Sequence, residues 1–129
     1  MTITELQERV TGLHFYWNQT HPVQEEHVVL KLVEEVGEMM EQYLLTKNMY
    51  SPTYRKTDGV DPKDIEKEFA KELADVLYNV ALVAGRTGVD LDVAMQERFA
   101  QLQNRAIADV EERKKGTAET PLEELEKIA

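Results

Sequence analysis

Leu32-Val33-Glu34-Glu35-Val36-Gly37-Glu38-Met39-Met40 sets three carboxylates inside a stretch that otherwise reads as a core-forming helix. At ~100° per residue, Val29, Leu32, Val33, Val36, Met40 and Tyr43 share one face and Glu34, Glu38 and Glu41 another, with Glu35 between them. A second acidic stretch, Glu72-Leu73-Ala74-Asp75, lies in another apolar helix, where Ile65, Phe69, Leu73, Val76, Val80 and Val83 make the stripe and Glu72 falls on its edge. Both helices thus aim carboxylates at or beside the seam along which helices pack. Glutamates and aspartates on helices usually form a solvated face. Here, however, Glu35 and Glu38 stand three apart, as do Glu72 and Asp75, a spacing that sets like charges side by side. Crowded carboxylates in partly dry surroundings repel one another unless a cation neutralises them. Mg²⁺ suits such a site, as a hard ion that prefers oxygen and shares its shell with water and substrate phosphates. Asn79, four after Asp75, extends the polar line: its amide either holds a water or phosphate oxygen at such a site or makes a helix-packing hydrogen bond.

Outward from these stretches the whole chain reads as helix. Thr2 and Glu5 form a capping box before Ile3, Leu6, Val10, Leu13 and Trp17, which predicts a first helix to about Thr20, ended by His21-Pro22. The second helix should cover roughly Val23 to Lys47, followed by a long exposed loop from Asn48 to Gly59. Asp61-Pro62 caps and opens a third helix to about Ala84, and Gly85-Arg86-Thr87-Gly88 reads as a short turn. Asp90 caps a fourth, with Leu91, Met95, Phe99, Leu102, Ala106 and Val110 as its buried stripe, ending near Gly116. Thr120-Pro121-Leu122-Glu123 starts a short terminal helix. Nothing reads as a strand. The expected fold is an all-α bundle in one domain, residues 1–129, with a core over about 17–105 and a charged extension over 109–129.

Composition narrows the function. A chain of 129 residues suits one domain but is small for a cleft enclosed by one subunit, so completion by a second chain is expected. The net charge of −10 argues against nucleic acid as partner, since counterion release needs a basic face. No apolar run reaches membrane-spanning length, the polar start is no signal peptide, and the absence of Cys fits a reducing compartment, so a cytoplasmic location is expected. A carboxylate-bridged di-iron site needs a His three after a Glu, which His14, His21 and His27 do not supply. Gly85 and Gly88 lack the lysine and hydroxyl of a phosphate-binding loop, and Ser51 is the sole serine for a nucleophilic triad.

Glu34-Glu35-Val36-Gly37-Glu38 followed by Glu72-Leu73-Ala74-Asp75 resembles the EExxE and ExxD motifs of the MazG-like, all-α nucleoside triphosphate pyrophosphohydrolases. The resemblance runs from about Trp17 to Arg105 and takes in Asp75-Val76-Leu77 and Gly88-Val89-Asp90-Leu91. It implies a four-helix-bundle-like fold completed by dimerisation, as a homodimer or homotetramer. It also implies hydrolysis of (deoxy)nucleoside triphosphates to the monophosphate and pyrophosphate with Mg²⁺, or Mn²⁺ in its place. Carried over by match, Glu35, Glu38, Glu72 and Asp75 would hold the metal, with Glu34 supporting the metal shell or the attacking water, so that Glu34 and Glu35 are the catalytic candidates. Trp17 and His21 resemble the aromatic, polar entrance at which the dCTP pyrophosphatase subgroup binds the base, although Trp17 also fits the apolar stripe of the first helix. Arg86 stands where that subgroup has a basic residue, and Asn79 joins it as a substrate contact. Where many relatives carry Lys and, four later, Asn on the fourth helix, this chain has Arg98 and Leu102, with Asn104-Arg105 two beyond. A phosphoribosyl-ATP pyrophosphohydrolase is the alternative within the family, and a non-enzymatic acidic dimerisation or adaptor module the alternative outside it.

Overall fold

A computed structural model describes residues 1–47 and 60–116, and among these the chain is all-helical, with four helices and no strand. They are α1 (Ile3–Asn18), α2 (Glu25–Thr46), α3 (Pro62–Thr87) and α4 (Leu91–Gly116). The loop expected over 48–59, with Ser51, and the terminal helix expected from Thr120 lie outside the described residues. No described helix is long and apolar enough to cross a membrane. The chain divides into two compact units, Met1–Leu91 and Asp92–Ala129.

In the first unit α3 is the central element, packed against α2 over most of its length and against α1. The helix starts follow the sequence signals. Thr2 and Glu5 close the capping box on α1, and the Asp61 carboxylate accepts from the Lys63 N–H at 2.9 Å with Pro62 in the first turn of α3. The Asn18 side chain accepts from the Val23 N–H at 2.7 Å, which holds the chain extended across Pro22 and delays α2 to Glu25. The end of α3 differs from expectation. Gly85, Arg86 and Thr87 belong to the helix, and the turn comes only at Gly88, whose φ of 75° lets the Val89 N–H return to the Ala84 carbonyl at 2.9 Å.

Gly85 stays helical because α1 needs the space. A Cβ there would collide with the Thr11 hydroxyl, so the glycine lets α1 lie close along the small-residue side of α3 formed by Ala81 and Ala84. Val10, Val28, Ala81 and Leu82 make the buried apolar cluster, with Leu6, Tyr78 and Val83 packed around it. Gln7 on α1 clamps the connection after α3, its amide donating to the Val89 carbonyl (2.7 Å) and accepting from the Leu91 N–H (3.0 Å).

α2 is rotated by about one residue, ~100°, from the orientation its apolar stripe suggests, whereas α3 keeps all of its expected stripe but Leu73 turned inward. On α2 the inward line is Val28, Leu32, Glu35, Met39, Gln42 and Leu45; the expected stripe of Val29, Val33, Val36, Met40 and Tyr43 is exposed, Val33 to 70%. On α3 the expected Ile65, Phe69, Val76, Val80 and Val83 are half-buried, but Leu73 is exposed and the edge residue Glu72 is buried, as is Asn79. The physical reason is that both helices are apolar on more than one side, so hydrophobicity alone does not choose the face that meets α1 and the facing helix. At the far end Tyr43 and Phe69 join α2 to α3 through a tilted ring contact with centroids 5.8 Å apart.

The second unit is entered through α4. From Met95 onward every described residue is exposed, so the expected buried stripe of Phe99, Leu102, Ala106 and Val110 is not buried in the single chain. Local pairs such as Gln96–Asp92 (3.0 Å) and Arg105–Asp109 (4.0 Å) decorate the helix, and Arg113, Lys114 and Lys115 complement its C-terminal dipole.

Gly88 supplies a direct check on the α3 cap. Gly88→Ala meets no atom within 4 Å yet forces an L-residue into the left-handed region, so it should cost about 1 kcal/mol in urea unfolding. An unchanged midpoint would contradict the cap geometry.

Candidate functional site

The rotation of α2 sets its acids against Glu72 of α3. One carboxylate oxygen each from Glu35, Glu38 and Glu72 lie within 4.8 Å of one another. Glu35 and Glu72 are buried, at 7% and 8% exposure, and Glu38 is half-buried at the open side. Each of the two buried acids keeps one oxygen, Oε2, without a hydrogen-bond partner. A buried carboxylate oxygen left bare costs free energy that packing alone does not return.

The charges respond accordingly. Burial pushes the Glu72 carboxyl above its ordinary value of 4.5, and the neighbouring charges of Asp75 and Glu35 push it further, against the pull of Lys71. Glu38 is raised in the same way, by desolvation and then by Glu35, Glu72 and Glu34. One lysine answers them from within α2: Lys31 Nζ lies 3.0 Å from Glu34 Oε1 and 3.2 Å from Glu35 Oε1, and these bonds hold its ammonium group above the ordinary lysine value. Glu34 is exposed and outside the three-acid cluster.

A cavity of about 530 Å³ opens beside the cluster, lined by Trp17, His27, Lys31, Glu35, Asp75 and Tyr78 among others. Its volume falls within the range of small-molecule sites, ~300–1,000 Å³. Asp75 is half-buried on this wall, one turn beyond Glu72 and outside the three-oxygen group, its side chain a methylene shorter than a glutamate's. Asn79 is buried and lines the same wall, and its amide donates to the Asp75 carbonyl at 2.8 Å, which fixes the side chain along α3. The Tyr78 hydroxyl is buried without a partner, and burial raises its pKa.

The other expected substrate contacts are dispersed. Trp17 lines the cavity with its ring half-exposed, so it is a wall residue and not core. His21 is exposed and pairs with the Thr20 hydroxyl at 2.9 Å. Arg86 sits in the last turn of α3 and reaches His14 Nε2 at 2.9 Å. Arginine only donates, so His14 accepts as neutral imidazole, consistent with its lowered pKa from burial and from the Arg86 charge. Arg98 belongs to α4, where it bonds Gln101 at 3.1 Å. Sequence reasoning missed Lys31 and Tyr78. Lys31 was readable, because it stands three before Glu34 and four before Glu35, the spacing of a helical ion pair. Tyr78 had no such signal, since an aromatic in an apolar helix is ordinary core.

The raised Glu72 pKa has a defined sign. A carboxyl whose folded pKa exceeds its unfolded one contributes stability below the unfolded value and loses it as pH rises through the folded value. In metal-free buffer, Glu72→Gln should therefore melt a few degrees above the parent at pH 7–8, with the difference closing toward pH 4.5. A difference independent of pH would show that Glu72 carries no such strain.

Models of known protein families, curated proteins and solved structures were all compared with this chain, and none matches it.

Proposed function

We propose that the chain is a Mg²⁺-dependent hydrolase of (deoxy)nucleoside triphosphates that releases the nucleoside monophosphate and pyrophosphate. The observation that carries this reading is the pair of buried, bare carboxylate oxygens of Glu35 and Glu72 beside Glu38, at the edge of a cavity of nucleotide size. The donor set fits the ion. All three side chains offer hard oxygen, the donor type Mg²⁺ prefers, and one oxygen of each lies within 4.8 Å of the others.

In this reading Glu35, Glu38 and Glu72 hold the ion, and Asp75 adds a fourth carboxylate from the cavity wall. Bound there, Mg²⁺ would supply charge neutralisation toward the triphosphate and Lewis acidity toward the attacking water. Water adds at the α-phosphorus and the α–β bridging oxygen leaves with pyrophosphate. Glu34 stands beside Lys31 at the exposed side, where it supports the shell and takes part in accepting the water's proton. Trp17 and Tyr78 offer the cavity an aromatic face and an unpartnered hydroxyl for the nucleoside. Arg86 steadies the wall through His14. A phosphoribosyl nucleotide would use the same acids with a different occupant of the cavity. The chain's acidity and its cytoplasmic setting suit a small-molecule nucleotide substrate and not nucleic acid.

The exposed apolar face of α2, Val29, Val33, Val36, Met40 and Tyr43, with Leu73 and Leu77 on α3, supports assembly as a homodimer or dimer of dimers. Sedimentation at micromolar concentration should then show no stable monomer, and Val33→Glu should shift the population toward one. A parent that sediments as a monomer and still cleaves nucleotides would remove this part of the proposal.

The test of the activity is pyrophosphate release from a panel of NTPs and dNTPs with Mg²⁺. Glu72→Gln and Asp75→Asn should each lose on the order of 10²-fold or more in turnover, the scale of a lost transition-state contact, while folding as well as the parent. Near-parental turnover in both variants, or a parent without activity and without Mg²⁺-dependent stabilisation, would leave the acidic adaptor reading instead.

A further inference from the structure

Lys31 occupies an unusual position: its ammonium bonds Glu35, a member of the three-acid cluster, and the residue also lines the adjoining cavity. The contact is 3.2 Å to Oε1 of a carboxylate whose other oxygen is buried and bare. Among the charge contacts described at the cluster, this is the one cation bonded to a cluster carboxylate; Lys71, near Glu72 along α3, pairs instead with Glu68 at 3.6 Å. Lys31 is also free to move, being 47% exposed on a flexible four-carbon stem.

From this geometry we propose that Lys31 is a positioning residue that serves as the built-in counter-ion of Glu35 until a divalent cation arrives, and then re-pairs its ammonium with a phosphate oxygen of the substrate. The inference rests on the metal reading of the site. A divalent ion on Glu35 has only one carboxylate between itself and the ammonium, and the two positive charges repel. The lysine must weaken or leave that contact. Glu34, 3.0 Å away on the exposed side, is its resting acceptor, and the cavity is the other direction open to it. A polyphosphate is the ligand class that delivers anionic oxygens there at the moment the ion is neutralised. The device keeps Glu35 oriented in the empty site, and it makes the ion and the polyphosphate bind better together than apart.

Calorimetry on the intact chain separates the steps without measuring turnover. In Mg²⁺ titrations without nucleotide, Lys31→Met should bind the ion about threefold to tenfold more tightly than the parent, because the competing cation is gone. Lys71→Met removes the same charge near the cluster without touching Glu35 and should change the affinity less than twofold. Lys31→Arg keeps a competing cation on Glu35 and should bind Mg²⁺ no more tightly than the parent, a comparison that stands even if the methionine variant folds poorly. With Mg²⁺ saturating, inorganic tripolyphosphate should bind Lys31→Met more weakly than the parent. Equal shifts for the two methionine variants, tighter binding by Lys31→Arg, or undiminished tripolyphosphate affinity would overturn the role of Lys31 and leave the metal site standing. A parent that takes up no Mg²⁺ would overturn the metal reading and this inference together.

Discussion

Glu35 on α2 and Glu72 on α3 are buried facing one another with an oxygen each left bare, and the rest of the first unit is arranged around that repulsion. Two charged groups in a partly dry seam cost several kcal/mol unless they are paired or neutralised. The chain answers with a single ammonium on the α2 side and with raised pKa values at Glu38 and Glu72. Neither response satisfies both bare oxygens. The seam is therefore held by what lies at its ends: the α1–α3 contact through Val10, Ala81 and Leu82, and the Tyr43–Phe69 contact beyond the acids.

That support is thin for the charge it carries. Among the described residues no large side chain is fully buried, and the apolar cluster is made of valine, alanine and leucine. Much apolar surface on α2, α3 and α4 is exposed in the single chain. A domain of this size has little surface to spare for such exposure. Assembly of copies would bury the outer faces of α2 and α3 and stiffen the acid seam from behind, which links the proposed oligomer to the proposed site through packing and not through shared residues.

How much of this was legible follows from where polarity and periodicity agree. Thr2 and Asp61-Pro62 act locally through caps, and the helices they open begin where their chemistry says. The acids were legible as a cluster because like charges at spacing three need a reason wherever they sit. Their depth was not. Val36 and Leu73 looked like the inner positions, and Glu35 and Glu72, one residue and so about 100° round from each, took them instead. Hydrophobic periodicity finds an apolar face but does not tell a face that packs within the chain from one left exposed. Gly85 misled in the same way: a glycine that reads as a turn was required by the close approach of Thr11. Tyr78 and the cavity were illegible because a cavity is a property of three helices at once.

The donor chemistry narrows what the seam can hold. If the proposed ion binds there, carboxylates would favour a hard divalent ion over a softer one that would call on imidazole or thiolate. The chain has no cysteine, and His14 already accepts from Arg86. In the proposed function a net charge of −10 would act in the same direction, since a free triphosphate is repelled more strongly than its less negative complex with a divalent ion. In the proposed function ion and polyphosphate would favour one another at this seam, and Lys31, which bonds Glu35 and lines the cavity, stands where it would mediate between them.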